Sequence, residues 1–287
     1  MSAPTDPQPL YESVAIVGVG LIGGSIAAAV KARGLARTVV GIGRSRDRLE
    51  AAREAGLLDV VAVDIAASAE SELVIVCTPV DRIAADVQDA GARSKCSAVI
   101  TDAGSVKGAI CAELADGLPE AVTFIGSHPL AGSEKTGWEN ADAALFVDRL
   151  CVLTPRPSDD SAAVGAVESF WQVIGMRTKQ MPPDEHDRVL ALTSHLPHAT
   201  ASALAGLLSA ESCEFAATGF RDTTRIAAGD PNIWTGIFLQ NAEHLNEHIG
   251  RLIDRLSELR GLLDRQNAAQ LHAWLSAAKT RRERLEG

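Results

Sequence analysis

The sequence predicts an α/β protein: a doubly wound sheet followed by an all-helical domain. Three observations carry that prediction. From about Ser13 to Met181, short β-branched runs alternate with Ala-rich helical stretches. A glycine-rich turn follows the first of those runs directly. After Met181-Pro182-Pro183 the β-branched runs vanish, and apolar residues recur at helical spacing.

The runs at residues 14–17, 38–42, 60–63, 73–77 and 98–101 are apolar and nearly free of charge, as strands covered on both faces of a sheet must be. Helical patterns at 25–33 and 47–55 lie between them, giving a βαβαβ start. Further strands are expected at 122–125, 150–154 and 177–180, the last two flanking a helix across 159–174. In the helical part, Ile249, Leu252, Ile253, Leu256, Leu259, Leu262 and Leu263 step by threes and fours, one apolar stripe of a long helix. That stripe is either packed within its own domain or forms a dimer seam.

Composition narrows the function classes. The chain has 287 residues, 46% of them hydrophobic, enough for two ordinary domains. A net charge of −10 argues against a nucleic-acid surface and requires that any anionic substrate be held by a local cationic cluster. The five cysteines are scattered and form no CxxC pair, so neither a disulfide framework nor a thiolate metal site is expected. The polar, proline-rich start reads as a short disordered tail rather than a signal peptide, and no apolar run is long enough to span a membrane. A cytoplasmic protein without membrane or nucleic-acid partners is expected.

Gly18-Val19-Gly20-Leu21-Ile22-Gly23 follows the first strand and opens a helix, the context in which GxGxxG signals a dinucleotide. Gly18 permits the tight turn, Gly20 lets the backbone approach the pyrophosphate, and Gly23 permits close helix–strand packing. The helix start at Leu21 and Ile22 supplies N–H groups to the phosphates. This marks a Rossmann-type domain. Where an NAD site usually carries a carboxylate for the ribose, the sequence has Gly43-Arg44-Ser45-Arg46. Two guanidiniums and a hydroxyl suit a 2′-phosphate, so NADP is favoured over NAD. Thr78-Pro79, ending the fourth strand, is a further candidate cofactor contact or simply a strand terminator.

Three clusters remain: Thr101 to Lys107 after the fifth strand, Gly126 to Glu134 after the sixth, and, in the helical part, Thr193 to His198 with Gly219 to Trp234. With the glycine loop, these motifs resemble the prephenate and arogenate dehydrogenases of tyrosine biosynthesis. His-Pro-Leu-Ala-Gly-Ser-Glu (128–134) and Ser-His-Leu-Pro-His (194–198) are the most diagnostic, and the match runs from Gly18 to about Trp234.

The resemblance implies oxidative decarboxylation of prephenate, with arogenate as the alternative substrate. It makes His128 the general base on the ring hydroxyl, with Ser105 orienting it, because imidazole titrates near neutrality. Arg225 is implied to grip a substrate carboxylate, His195 to line the pocket, and Glu134 to pair with Arg225. Arg221 and Trp234 are weaker substrate contacts. They stand with Lys107 and His198 as residues whose roles in ion pairs, caps or the domain core stay open. His186, His244, His248 and His272 show no metal-ligand spacing, and no metal is expected. The implied organisation is a tail (1–12), a Rossmann domain (13–181) and a helical substrate and dimerisation domain (182–287) forming a homodimer. No tyrosine-sensing regulatory domain is expected after it, so tyrosine inhibition would act at the active site. A β-hydroxyacid dehydrogenase is disfavoured because the helical region carries no comparable catalytic Lys, Lys279 being poorly placed. A non-catalytic NADP-binding sensor is disfavoured by the intact His128, Ser105, His195 and Arg225.

Overall fold

The structure is a computed structural model that describes residues 9–132 and 135–285. Eight strands, β1 (Tyr11–Val17), β2 (Ala36–Ile42), β3 (Val60–Ala62), β4 (Leu73–Val76), β5 (Ala98–Asp102), β6 (Val122–Pro129), β7 (Leu150–Thr154) and β8 (Arg177–Gln180), form one sheet in the order β3-β2-β1-β4-β5-β6-β7-β8. All neighbours are parallel except β6 and β7. The first helices are α1 (Leu21–Arg33), α2 (Arg46–Glu54), α3 (Ile83–Arg93), α4 (Gly108–Glu113) and α5 (Ser161–Val173).

Alternation along β1 explains why both faces are covered. Val14 and Ile16 join one buried cluster with Ile26, Val30, Phe170 and Trp171, whereas Ala15 and Val17 join a second with Val74, Ile83, Val87 and Ile110. Successive side chains of a strand point to opposite faces. A strand in mid-sheet must therefore be apolar throughout, and β4 is buried at all four positions. β1 begins at Tyr11, inside the segment expected as tail; Tyr11 pairs with Ala36 in the ladder.

β6 runs four residues further than the apolar run suggests. Its first part pairs with β5, and Gly126–Pro129 pair with antiparallel β7, His128 facing Val152. The sequence alone puts His128 in a turn beyond the strand. The β7 ladder instead extends the strand through it and fixes its backbone.

After β8 the chain is helical: α6 (Pro183–Leu190), a π-helical turn (Ala191–His195), α7 (Leu196–Ala205), α8 (Thr218–Thr224), a 3-10 turn (Arg225–Ala228) and α9 (Pro231–Gln240). Pro197 has no N–H to give to the preceding turn, and the widened π turn ends two residues before it. Residues up to Asn241 form one compact unit, so α6–α9 cluster with the sheet rather than with the C-terminal stretch. The second unit starts at Ala242 and is a hairpin of α10 (Ala242–Asp264) and α11 (Ala268–Glu283). Within it, Arg255 lies 4.8 Å from the Trp274 ring centroid. The α10 stripe is only partly covered: Leu262 is buried, while Ile253, Leu256 and Leu263 are exposed.

Candidate active site

The glycine loop separates what the fold needs from what a ligand needs. Gly18 has φ +94°, and a Cβ there would stand 2.8 Å from the Cys77 carbonyl carbon. At Gly23 a Cβ would meet the Gly18 carbonyl oxygen at 2.1 Å. Both glycines are required by the chain's own packing. Gly20 is different, since its Cβ position has nothing within 4 Å. The α1 N-terminus carries no side-chain cap and no acidic residue in its first turn, leaving it suited to a phosphate. Residues Thr78-Pro79 adjoin this loop, since the Thr78 nitrogen lies 3.0 Å from the same Gly18 Cβ position.

At the end of β2, Arg44, Ser45 and Arg46 are exposed. Ser45 caps α2 by accepting from the Arg48 N–H at 3.5 Å, and Arg46 lies 3.8 Å from Glu50. Arg48 reaches Glu139 at 3.4 Å.

His128 lies at the same carboxyl edge of the sheet, and a buried network holds it. Asp102, ending β5, is ion-paired with Lys107, both fully buried. Together they clamp the peptide just before the histidine: Asp102 Oδ1 accepts from the Ser127 N–H at 3.0 Å, and Lys107 Nζ donates to the Ser127 carbonyl at 3.0 Å. Trp171 Nε1 donates to the Ser127 hydroxyl at 3.0 Å. The His128 ring meets His186 of α6, Nδ1 to Nε2, at 2.9 Å. His186 Nδ1 in turn bonds Asp187 Oδ1 at 2.7 Å. Asp187 accepts the backbone N–H groups of Lys107 and Gly108, each at 2.8 Å. Ser105 sits half-buried in the β5–α4 loop, but its hydroxyl makes no hydrogen bond among the described residues. Among the described residues the hydrogen-bond partner of the His128 ring is His186.

Electrostatics keep these imidazoles neutral. Burial, then the nearby charges of His186, Lys107 and His195, hold His128 well below the ordinary histidine value. This corrects the expectation of a near-neutral pKa. Burial lowers His186 as well, against the opposing pull of Asp187. His195 falls to about 4, chiefly through burial.

The helical segment adds a second group. His195 closes the π turn, and its Nδ1 is 3.0 Å from Asn241 Nδ2, which also donates to the Asp187 carbonyl at 2.8 Å. Its Nε2 is buried with no partner among the described residues. His198 stacks on Trp234 with ring centroids 3.5 Å apart, and both line a cavity of about 210 Å³ with Ala227, Gly229 and Phe238. Arg225 is exposed in the turn that packs on α7. Arg221 is exposed and donates to the Ala216 carbonyl at 2.9 Å. Glu134 lies outside the described residues. No group of three His, Cys, Asp or Glu suited to a metal occurs among the described residues.

The nucleotide-binding domain of prephenate dehydrogenase matches residues 26–180, and the dimerization domain of prephenate dehydrogenase matches residues 182–277. The chain belongs to the prephenate dehydrogenase family.

Relatives within and around the family agree. A cyclohexadienyl dehydrogenase of Zymomonas mobilis is 36% identical over 270 residues, spanning 91% of this chain and 92% of that protein. The crystal structure of prephenate dehydrogenase from A. aeolicus, in complex with hydroxyphenyl propionate and NAD+, superposes with a TM-score of 0.90 at 30% identity, covering 99% of this chain and all of that one (100%). Synechocystis arogenate dehydrogenase superposes with a TM-score of 0.81 at 28% identity, over 95% of this chain and 99% of that one. As a prephenate dehydrogenase family member the chain is a nicotinamide-dependent oxidoreductase. Its two domain matches meet beside the Met181-Pro182-Pro183 break, although α6–α9 cluster with the sheet.

Sequence reasoning misses three residues of this buried network: His186, Asp187 and Asn241. The spacing of His186 speaks only to metal binding, where it is uninformative. A usable signal is present in the adjacent His186-Asp187 pair on a helix with a Pro-Pro start.

Proposed function

We propose that the chain oxidises and decarboxylates prephenate to 4-hydroxyphenylpyruvate. One observation carries this reading: His128 is a buried imidazole kept in its neutral form, and His186 engages its Nδ1, so that Nε2 is the nitrogen left for a substrate. Such a nitrogen can take the proton of the ring 4-hydroxyl. When bound, the nicotinamide accepts the hydride leaving ring C4. Loss of CO2 then returns the electrons of the C–C bond to the ring, and the phenol oxygen regains a proton.

Arg225 is the proposed holder of a substrate carboxylate, because a planar guanidinium donates two parallel bonds to it. The buried Nε2 of His195, the Trp234–His198 stack, Arg221 and Glu134 complete the proposed pocket, with Ser105 at its nicotinamide side. Gly18, Gly20 and Gly23, with the Leu21 and Ile22 amides and Thr78-Pro79, are the proposed cofactor cradle. Arg44, Ser45 and Arg46 favour NADP, since Gly43 stands where an NAD site usually carries a carboxylate for the ribose. The A. aeolicus relative carries NAD+, so NAD is the competing cofactor.

Arogenate is the second reading, favoured by the likeness to the Synechocystis enzyme. A homodimer through the helical region fits the partly uncovered stripe of α10. No helix among the described residues is long and apolar enough to cross a membrane, and a cytoplasmic location is part of the proposal. Nicotinamide absorbance, followed with prephenate or arogenate and with NADP or NAD, tests the whole reading. A rise with prephenate, larger with NADP, is expected. A rise with arogenate alone transfers the reading to that substrate, and silence in all four mixtures overturns it.

A further inference from the structure

The contact between His128 and His186 decides which ring nitrogen carries the proton. Asp187 Oδ1 accepts from the Lys107 N–H and Oδ2 from the Gly108 N–H, so the carboxylate presents acceptors only. The His186 nitrogen facing it, Nδ1 at 2.7 Å, must then bear hydrogen. A neutral imidazole has one N–H, which leaves Nε2 of His186 an acceptor. The partner 2.9 Å away, Nδ1 of His128, must donate to it. His128 is thereby held with hydrogen on Nδ1 and a lone pair on Nε2.

We propose that His186, fixed by Asp187, is a positioning residue that locks His128 in the Nδ1–H form and so aims a basic Nε2 at the substrate. The proposal rests on the reading of His128 as the base. Nothing in the backbone of β6 chooses between the two tautomers. The ladder with β7 fixes where the ring is attached, and only the ring's own partner decides which nitrogen is basic. Once Nε2 takes the hydroxyl proton, the imidazolium keeps its Nδ1–H bond to His186, and the Asp187 carboxylate lies one ring further on. His186 is itself fully buried, so it acts through the His128 ring.

The test is nitrogen NMR of the full-length protein labelled with 15N-histidine, the His128 signals being assigned by their loss in His128→Asn. The expected result is a pyrrole-type Nδ1 and a pyridine-type Nε2 for His128 in the unmodified protein. In His186→Leu the tautomer shifts towards Nε2–H and kcat falls by at least about 100-fold with KM little changed, the size expected when a general base is lost or mis-set. In His186→Gln, whose amide oxygen still accepts, the Nδ1–H form and most of kcat return. A pyridine-type Nδ1 on His128 in the unmodified protein overturns the proposal. So does a folded His186→Leu that keeps its kcat. Should His186→Leu fail to fold, the unmodified spectrum decides. The spectrum needs no substrate, so a wrong assignment of substrate leaves this result standing.

Discussion

The backbone N–H of Lys107 donates to Asp187 Oδ1 at 2.8 Å, tying the loop after β5 to a helix 80 residues further along the chain. Gly108 adds a second bond to the same carboxylate, and the Asp187 carbonyl accepts from Asn241. One aspartate therefore gathers the cofactor edge of the sheet, His186 and the His195 segment.

Asp187→Ala should cost both stability and activity. It strands two backbone N–H groups, each costing about 1–3 kcal/mol when left unsatisfied. Urea unfolding should show a lower midpoint with an unchanged m-value. In protein that remains folded, kcat should fall more than cofactor affinity.

The Lys107–Asp102 pair should behave as a buried pair whose halves cannot be removed separately. Lys107→Met leaves the buried Asp102 carboxylate without its cation and should destabilise by about 3–5 kcal/mol. Adding Asp102→Asn should recover part of that loss, which a double-mutant cycle in urea measures directly. Since the pair clamps the Ser127 peptide, even the stable double variant should have reduced kcat.

The histidines set two pH dependences of the same sign. His128 is held below its ordinary value, so kcat/KM should stay flat as pH falls through 6.5 and decline only at lower pH. For stability, the folded value of His195 is about 4, and the unfolded value is about 6.5. Between those values the unfolded chain binds a proton that the folded one does not. Stability is then complete above about pH 6.5 and is lost as the pH falls towards 4, by on the order of 3 kcal/mol from His195. Thermal unfolding across pH 4 to 7.5 checks this.

Gly20→Ala and Gly23→Ala should fail in different ways. A Cβ at Gly20 meets no protein atom, so the variant should fold with an unchanged melting temperature while nicotinamide cofactor affinity falls at least about tenfold. At Gly23 the same methyl collides with the Gly18 carbonyl, and the melting temperature itself should drop. Calorimetry with a cofactor titration separates the two.

The sheet is legible in the sequence because burial on both faces leaves charge-free apolar runs. β7 and β8 fall on the expected residues, and β1 to β5 differ by one to three residues at their ends. The β6 extension is not legible, since pairing of Gly126–Pro129 with an antiparallel neighbour is a tertiary event. Likewise Gly18, Gly20 and Gly23 announce themselves by spacing. The His128–His186 contact, 58 residues apart, has no local signature. The helical stripe of α10 is readable as a period, but its packing is not, because burial of Ile253 or Leu256 depends on what covers them.

The most direct test of the central claim is a single-turnover experiment with the nicotinamide cofactor already bound, comparing the unmodified protein with His128→Asn. Prephenate should give a rapid rise in nicotinamide absorbance in the former. In the variant the rise should slow by about 100- to 10,000-fold, with cofactor affinity unchanged. An undiminished rise in His128→Asn would contradict the assignment of the base, and no rise in the unmodified protein with prephenate would contradict the assigned reaction.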